Sequence, residues 1–166
     1  MVANTYPGND RSAGTDRFGD VGIDLQYQYS GARDDTAIRL SWIHEQQELG
    51  ASQFLGAATN KSNNLSTFNG NVSYLYDKTW GLTAGYSDLR GEADPAYYGT
   101  DTGSPNSSWV TLQLDWLPYN KQGGPSLWTW FNPKLSLQYV AYSRFDGTTS
   151  GASDNDTLYL QAWLVF

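Results

Sequence analysis

From Thr157 to Phe166 the chain alternates without a break. Leu158, Leu160, Ala162, Leu164 and Phe166 fall on one side of an extended backbone, and Thr157, Tyr159, Gln161 and Trp163 on the other. The same period of two recurs upstream. Val21, Ile23, Leu25, Tyr27 and Tyr29 alternate with Gly22, Asp24, Gln26 and Gln28, while Ile38, Leu40 and Trp42 are set against Arg39, Ser41 and Glu45. Phe68, Val72, Tyr74 and Tyr76 oppose Asn69, Asn71 and Ser73; Trp80, Leu82, Ala84 and Tyr86 oppose the smaller Gly81, Thr83, Gly85 and Ser87. Val110, Leu112, Leu114 and Trp116 oppose Thr111, Gln113 and Asp115. In the next run Leu135, Leu137, Tyr139, Ala141 and Phe145 oppose Lys134, Ser136, Gln138, Tyr142 and Arg144. Each run is roughly ten residues long, and no helical period interrupts them. The pattern predicts an all-β chain: one antiparallel, up-and-down sheet of about seven to eight meander strands, a barrel or an open barrel segment, with one oily and one polar face.

The connections carry a second pattern. Residues 1–17 are rich in Gly, Asn, Asp, Ser and Thr and read as an irregular tail, or as a tail hiding one short extra strand. After it, short links at 30–35 and 77–79 alternate with long ones at 49–64, 90–107 and 146–156, and a medium link lies at 119–133. A soluble meander has no reason to sort its loops, whereas a transmembrane barrel has short periplasmic turns and longer extracellular loops. The aromatics on the apolar face sort by depth in the same frame. Tyr27, Tyr29, Tyr74, Tyr76, Trp80, Trp116 and Phe166 gather toward the short-turn ends of their strands, and Trp42, Phe68, Tyr86 and Phe145 toward the long-loop ends.

Composition narrows the classes. The 166 residues make about one domain, expected to span 1–166. At 39% hydrophobic residues the chain holds no apolar run near the roughly 20 residues of a spanning helix. Low mean hydropathy, −0.55, does not exclude a membrane barrel, whose lipid-facing and lumen-facing residues alternate. Aromatics reach 15%, with Trp 7 and Tyr 12, as they do in membrane-interface girdles and in soluble sugar-binding sheets. The absence of cysteine removes disulfides, thiolate metal sites, cysteine nucleophiles and covalent haem attachment. A net charge of −7 argues against nucleic-acid binding, which needs clustered Lys and Arg.

A last strand of alternating apolar residues closing on a terminal Phe, here Leu158, Leu160, Ala162, Leu164 and Phe166, resembles the carboxy-terminal signal of bacterial outer-membrane, porin-like β-barrel proteins. The resemblance implies a Gram-negative outer-membrane location. Its partners would be membrane lipid, lipopolysaccharide and the assembly machinery that reads the last strand, with a homo-oligomer as a further option. Such a protein is exported, yet Met1-Val2-Ala3-Asn4-Thr5-Tyr6-Pro7-Gly8 shows no basic region followed by an apolar core. Seven strands with a periplasmic carboxy end would also start outside, which breaks the even-strand rule of single-chain bacterial barrels. Both observations lead to the expectation that the chain is the carboxy-terminal part of a larger barrel, with 1–17 an extracellular tail.

The residues expected to line a lumen are Asp24, Gln26, Gln28, Arg39, Glu45, Asn69, Asn71, Gln113, Asp115, Lys134, Gln138, Arg144 and Gln161. Charges of both signs on a Gln- and Asn-rich wall suit a hydrated passage; the plainer alternative is that they pair inside a filled small barrel. Tyr27, Tyr29, Trp42, Tyr74, Tyr76, Trp80, Tyr86, Trp116, Phe145 and Phe166 are the expected membrane-interface aromatics, and Trp128, Trp130 and Phe131 read as an interfacial anchor. His44 is the single histidine, placed on the apolar face toward the long loops with Glu45 on the other face. Outer-membrane phospholipases and omptin-like proteases resemble this architecture but need a supported catalytic His, so no enzyme activity is expected. Asp94, Asp154, Asn155 and Asp156 are loop oxygens that could hold Ca²⁺, but their spacing is not that of an EF-hand and such loops are usually solvated turns; no metal or cofactor is expected. The leading expectation is a channel for passive diffusion of small hydrophilic solutes or ions. The alternatives are a non-conducting barrel acting as scaffold or adhesin, including one that sheathes a cytochrome, and a soluble aromatic-rich β-barrel or sandwich that binds sugars.

Overall fold

The computed structural model describes residues 1–118 and 132–165. Its strands form a single eight-stranded antiparallel sheet in chain order, an open up-and-down meander. They are β1 (Val2–Thr5), β2 (Asp16–Ser30), β3 (Asp35–Glu48), β4 (Ser62–Tyr76), β5 (Trp80–Gly91), β6 (Ser107–Trp116), β7 (Asn132–Arg144) and β8 (Thr157–Val165), with short helices α1 (Gly50–Phe54) and α2 (Pro95–Tyr98) in two of the long connections. Of the two readings of residues 1–17, the structure bears out the tail that hides one short strand and not the wholly irregular one: Val2–Thr5 pair with Gly19–Asp16 as β1, and β2 already begins at Asp16. Val-Ala-Asn-Thr has no apolar alternation of its own, so edge pairing and not local propensity makes it a strand.

Register is continuous across the sheet, and a cross-strand row therefore keeps to one face. One row runs Tyr27, Ile38, Val72, Ala84, Leu112, Tyr139, Leu158, all apolar or aromatic. The neighbouring row runs Gln28, Ala37, Ser73, Thr83, Gln113, Gln138, Tyr159 on the other face. A single cavity of about 760 Å³ touches β2 through β7, from Gln28 and Arg39 to Lys134 and Gln138, so the sheet curls with the polar face inside. The oily face is outside and bare: Leu112, Leu137 and Leu160 are 50%, 46% and 81% exposed. A sandwich would have buried these side chains beneath a second layer.

Alternation fails in one place. A register shift between Ser108 and Trp109 pairs Arg144 with Ser108 and Tyr142 with Trp109, leaving Ser143 as a β-bulge that flips the phase of β7 beyond it. Arg144, expected on the inner wall, therefore shares the outer phase of Ser108. Phe145, expected among the outer aromatics, packs edge-on to Tyr142 at 5.2 Å, beside the Tyr142–Trp109 pair on the inner side.

Turn chemistry sets the two ends apart. The β4–β5 link turns on Asp77 and Lys78, both at positive φ, and the Asp77 N–H donates to the Asp34 carboxylate of the β2–β3 turn at 2.9 Å. The long links, 6–15, 49–61, 92–106 and 145–156, all fall at the opposite end of the sheet, as their sorting in the sequence required. The medium link is described only at Leu117 and Pro118; Leu127, Trp128, Trp130 and Phe131 lie outside the described residues, as does Phe166.

Close approach is needed at Gly81, where a Cβ would come within 2.9 Å of the Asp115 Cβ. Gly85, on the same strand and face, has nothing nearer than 3.4 Å. Gly81→Ala is expected to lower stability by about 1–3 kcal/mol through overpacking, whereas Gly85→Ala is expected to be close to neutral; urea unfolding of both variants in detergent micelles measures the difference.

Candidate functional site

The inner wall is built from alternate residues of β2 to β8, which their neighbours hold in place. Gln28, Arg39, Asn69, Asn71, Gln113, Asp115, Lys134 and Gln138 line the main cavity, and Asp24 and Gln26 line a smaller one of about 310 Å³ that shares Arg39, Asn69 and Asn71. Gln161 donates to the Gln138 side chain at 3.3 Å and so joins the same face. Glu45 accepts from Gln47 at 2.6 Å, higher on the wall. Of the residues read from sequence as inner-wall groups, the structure brings all but Arg144 to the concave face.

Charge on this wall is distributed unevenly. Lys134 sits 3.1 Å from Asp115, which also accepts from Ser136 at 2.5 Å and from Gln113 at 2.8 Å. At the same end Lys78 pairs with Asp35. These cations are neutralised. Arg39, midway along β3 and facing both cavities, has no ion pair among the described residues. Asp24, diagonal to it across the β2–β3 pair, has none either.

The outer face carries two aromatic levels. Trp80 and Trp116 stack at 6.0 Å near the short turns beside exposed Tyr74 and Tyr76, with Tyr27 and Tyr29 on the β2 end. Trp42, Phe68 and Tyr86 form the other level, Phe68 and Tyr86 at 6.5 Å. From Trp80 to Tyr86, or Phe68 to Tyr76, is roughly 20 to 27 Å at about 3.4 Å per residue. The described outer positions between the levels are aliphatic, glycine, threonine or Tyr139. Charged pairs lie beyond the two levels: Arg17–Glu48 at 3.7 Å and Arg90–Asp88 at 2.8 Å past the upper one, and Arg33, over the Tyr76 ring at 4.6 Å, with Asp34 and Asp77 at 3.9 and 3.8 Å past the lower one.

His44 lies just above Trp42, stacked on it at 5.9 Å, and its Nδ1 meets the Ser66 Oγ at 2.8 Å. Cross-strand pairing of His44 with Ser66 creates this contact, which the linear sequence conceals. No carboxylate meets the second ring nitrogen among the described residues, so the pair lacks the orienting group of a hydrolytic triad.

The long loops form a hydrogen-bonded crown, the part that sequence reasoning missed. Asp16, buried at the head of β2, accepts from the N–H groups of Ala51 and Ser52 at 2.9 and 3.0 Å and thereby fixes α1. Asp94, also buried, accepts from the N–H groups of Thr59, Asn60 and Tyr97 at 2.8, 2.9 and 3.1 Å and from the Asn63 amide at 3.3 Å, tying the second long loop to the first. Burial pushes the Asp94 carboxyl up, but those donors together outweigh it and hold its pKa down at about 2. The third loop joins through the Gly147 N–H to the Asn106 carbonyl at 2.7 Å and the Asp146 N–H to the Ser107 hydroxyl at 3.1 Å. Asp156 accepts from the Tyr142 N–H at 2.8 Å and the Tyr139 hydroxyl at 2.5 Å. Asp94 and Asp156, read from sequence as candidate calcium oxygens, thus spend their lone pairs on protein donors. Burial, with the negative charge of Glu45 contributing, raises the Tyr97 pKa, and burial lifts that of Tyr98 to about 12.

No protein-family model, curated protein or solved structure matches the chain.

Asp94→Ala would strip several buried donors of their acceptor, at a cost of about 2–4 kcal/mol. The expected result is loss of amide-exchange protection at Thr59, Asn60 and Tyr97 with the strands unchanged. In the native chain the stabilisation from Asp94 is complete above the ordinary carboxyl pKa of 3.8 and is lost as pH falls through about 2; the same amides report it.

Proposed function

We propose that the chain forms the wall of an outer-membrane, porin-like channel through which small hydrophilic solutes or ions diffuse passively. The observation that carries this reading is the inverted section of the sheet. An exposed aliphatic band roughly 20 to 27 Å long along the strands, bounded by aromatic levels, backs a polar concave trough. A soluble sugar-binding sheet would bury that band, which disfavours it. The porin-like resemblance of β8 points the same way, with the long loops outside and the short turns periplasmic.

The residues have distinct roles in this reading. Gln28, Asn69, Asn71, Gln113 and Gln138 offer neutral donors and acceptors that replace part of a solute's hydration without holding it. The Lys134–Asp115 and Lys78–Asp35 pairs leave the short-turn end nearly neutral. Arg39 and Asp24 set the field at mid-depth. The crown narrows the outer mouth and limits solute size. That same interlocked crown also suits the second reading, a non-conducting barrel that presents its loops to a partner.

Conductance in planar bilayers separates the two: the assembled barrel containing this chain is expected to pass current, and its absence removes the channel. A unit charge at roughly 8 Å in water is worth about 0.5 kcal/mol, so Arg39→Glu, a two-unit change, favours a cation by about 1 kcal/mol and disfavours an anion by as much, and should shift the cation-to-anion permeability ratio about thirtyfold toward cations at low salt. The reversal potential in a salt gradient measures it. For the membrane itself, Leu112→Arg is expected to cost about 2–4 kcal/mol of insertion into lipid vesicles. Gln113→Arg should be tolerated, and the opposite order would show that the polar face is the outside.

A further inference from the structure

Among the described residues, the buried side-chain polar atoms that meet no hydrogen-bond partner are Asp20 Oδ1, Gln47 Oε1, Asn71 Oδ1 and Tyr98 Oη. Asp20 and Gln47 hold adjoining positions on the inner wall, where β2 and β3 approach the crown: Asp20 stands directly opposite Glu45, and Phe18 opposite Gln47. Asp20 spends its backbone groups on β1, its N–H donating to the Met1 carbonyl at 2.9 Å and its carbonyl accepting from the Met1 nitrogen at 2.7 Å. Its pairing with Glu45 is therefore of the non-hydrogen-bonded kind, in which Cα atoms approach to about 4.5 Å and side chains come closest. Two carboxylates face one another across the strands. Like charges so placed are destabilising, and no ion pair among the described residues includes either of them.

Gln47 adds an independent demand. It is 4% exposed, flanked by Phe18 on β2 and by the fully buried Asn63 on β4. Its Nε2 donates to Glu45 Oε1 at 2.6 Å, so turning the amide over would set its oxygen against a carboxylate oxygen. That orientation leaves Oε1 as a buried acceptor with nothing to accept. The Asn63 amide is turned to the crown instead, donating to Asp94 at 3.3 Å and accepting from Asn60 at 2.7 Å.

A water molecule donates to an orphan oxygen but leaves the two charges opposed. A cation answers both demands. We propose that Asp20, Glu45 and Gln47 form a Ca²⁺ site on the inner wall, with Asp20 Oδ1, the Glu45 carboxylate and Gln47 Oε1 as protein ligands and water completing the shell. No cluster of three or more Asp, Glu, His or Cys side chains suited to a metal occurs among the described residues, so the amide oxygen is what turns a pair of carboxylates into a site. Asp20 and Gln47 are diagonal neighbours, with Cβ atoms about 7 Å apart, a span that two side chains and two metal–oxygen bonds of about 2.3–2.6 Å bridge. The donors are all oxygen, which selects a hard cation, and they sit on long side chains in irregular geometry, which Ca²⁺ accepts and Mg²⁺, bound to its octahedron and its water, does not. Three protein ligands carrying two charges place the affinity in the weak range, a Kd of about 10⁻⁴–10⁻³ M. The site needs only β2, β3 and the crown and does not rest on the channel reading.

The test titrates CaCl₂ into the full chain in detergent micelles at constant ionic strength, with MgCl₂ as comparator. It follows the Gln47 side-chain amide by NMR and the folded fraction from zero urea upward. Expected are a saturable shift of the Gln47 amide protons with a midpoint of about 10⁻⁴–10⁻³ M, a weaker response to Mg²⁺, and a higher urea midpoint in Ca²⁺ than in EDTA. Asp20→Asn and Glu45→Gln should each raise the Ca²⁺ midpoint at least about tenfold, as loss of even an outer partner of a metal ligand does. In EDTA both variants should be at least as stable as the native chain, because the opposed charges are gone. Asp154→Asn, in the third long loop, should leave the midpoint unchanged. A Gln47 amide that does not shift up to about 10 mM Ca²⁺, tenfold above the weak limit, with equal urea midpoints in Ca²⁺ and EDTA, means that water alone serves these oxygens and overturns the proposal. Equal responses to Ca²⁺ and Mg²⁺, a midpoint unmoved by Asp20→Asn and Glu45→Gln, or one moved by Asp154→Asn overturn it too. A chain poorly folded in EDTA must gain folded fraction with Ca²⁺ in the native sequence and not in Glu45→Gln; a gain in both or in neither sinks the site.

Discussion

Strict cross-strand register governs this molecule. A strand has a period of two, so a slip of one residue at any pairing would carry a whole set of leucines into the trough and a whole set of glutamines out of it. From β2 to β8 the pairings keep Tyr27, Ile38, Val72, Ala84, Leu112, Tyr139 and Leu158 in one row, and the turns hold that register. Asp77 and Lys78 accept positive φ to make a tight link, and Asp34 fastens that link to the next one. The bulge at Ser143 is the one departure in the β6–β7 pairing, and it lies where the wall meets the crown. There a phase change turns Phe145 inward, onto Tyr142 and so toward Trp109, without disturbing the rows below.

The molecule holds its dry apolar packing in an unusual place. Among the described residues the buried hydrophobic side chains are Leu49, Ala51, Ala58 and Ala152, all in the loops. The sheet contributes none. A soluble sheet that left its leucines bare would forgo most of the hydrophobic free energy that folds a domain of this size. The arrangement becomes favourable when lipid covers the band, where backbone pairing takes over as the dominant demand. In hydrocarbon an unpaired N–H or C=O costs several kcal/mol, which makes the free edges, and not the core, the point on which stability turns.

How legible this was depends on the range of the interactions. The strands, their faces and the sorting of loops were written in local alternation, so β2 to β8 and most of the inner-wall residues could be read from Gln28, Asn71, Gln113 and their neighbours alone. β1 could not, because Val2–Thr5 carries no periodic signal and owes its conformation to the edge of β2. Arg144 and Phe145 were misplaced for a related reason: a bulge depends on how two strands meet, and nothing in Ser143 itself announces one. The crown was hidden more deeply. Asp16 and Asp94 bind backbone groups some 35 residues away, at sequence separations over which acidic loop residues look like ordinary solvated turns.

The crown and the trough answer opposite electrostatic demands, and both use carboxylates. Asp94 is surrounded by N–H donors that hold its pKa down at about 2, so it is ionised at neutral pH with its oxygens engaged by the loops and not by the mid-depth wall. Asp115 is likewise absorbed by Lys134, Ser136 and Gln113. A chain with a formal charge of −7 can therefore present a wall on which, among the described residues, the charges without an ion pair at mid-depth are one cation and one anion, Arg39 and Asp24. If the proposed channel holds, net charge is a poor guide to its preference: selectivity would follow from which carboxylates the fold has already satisfied, and a substitution that frees one of them would alter permeation as much as one that adds a charge.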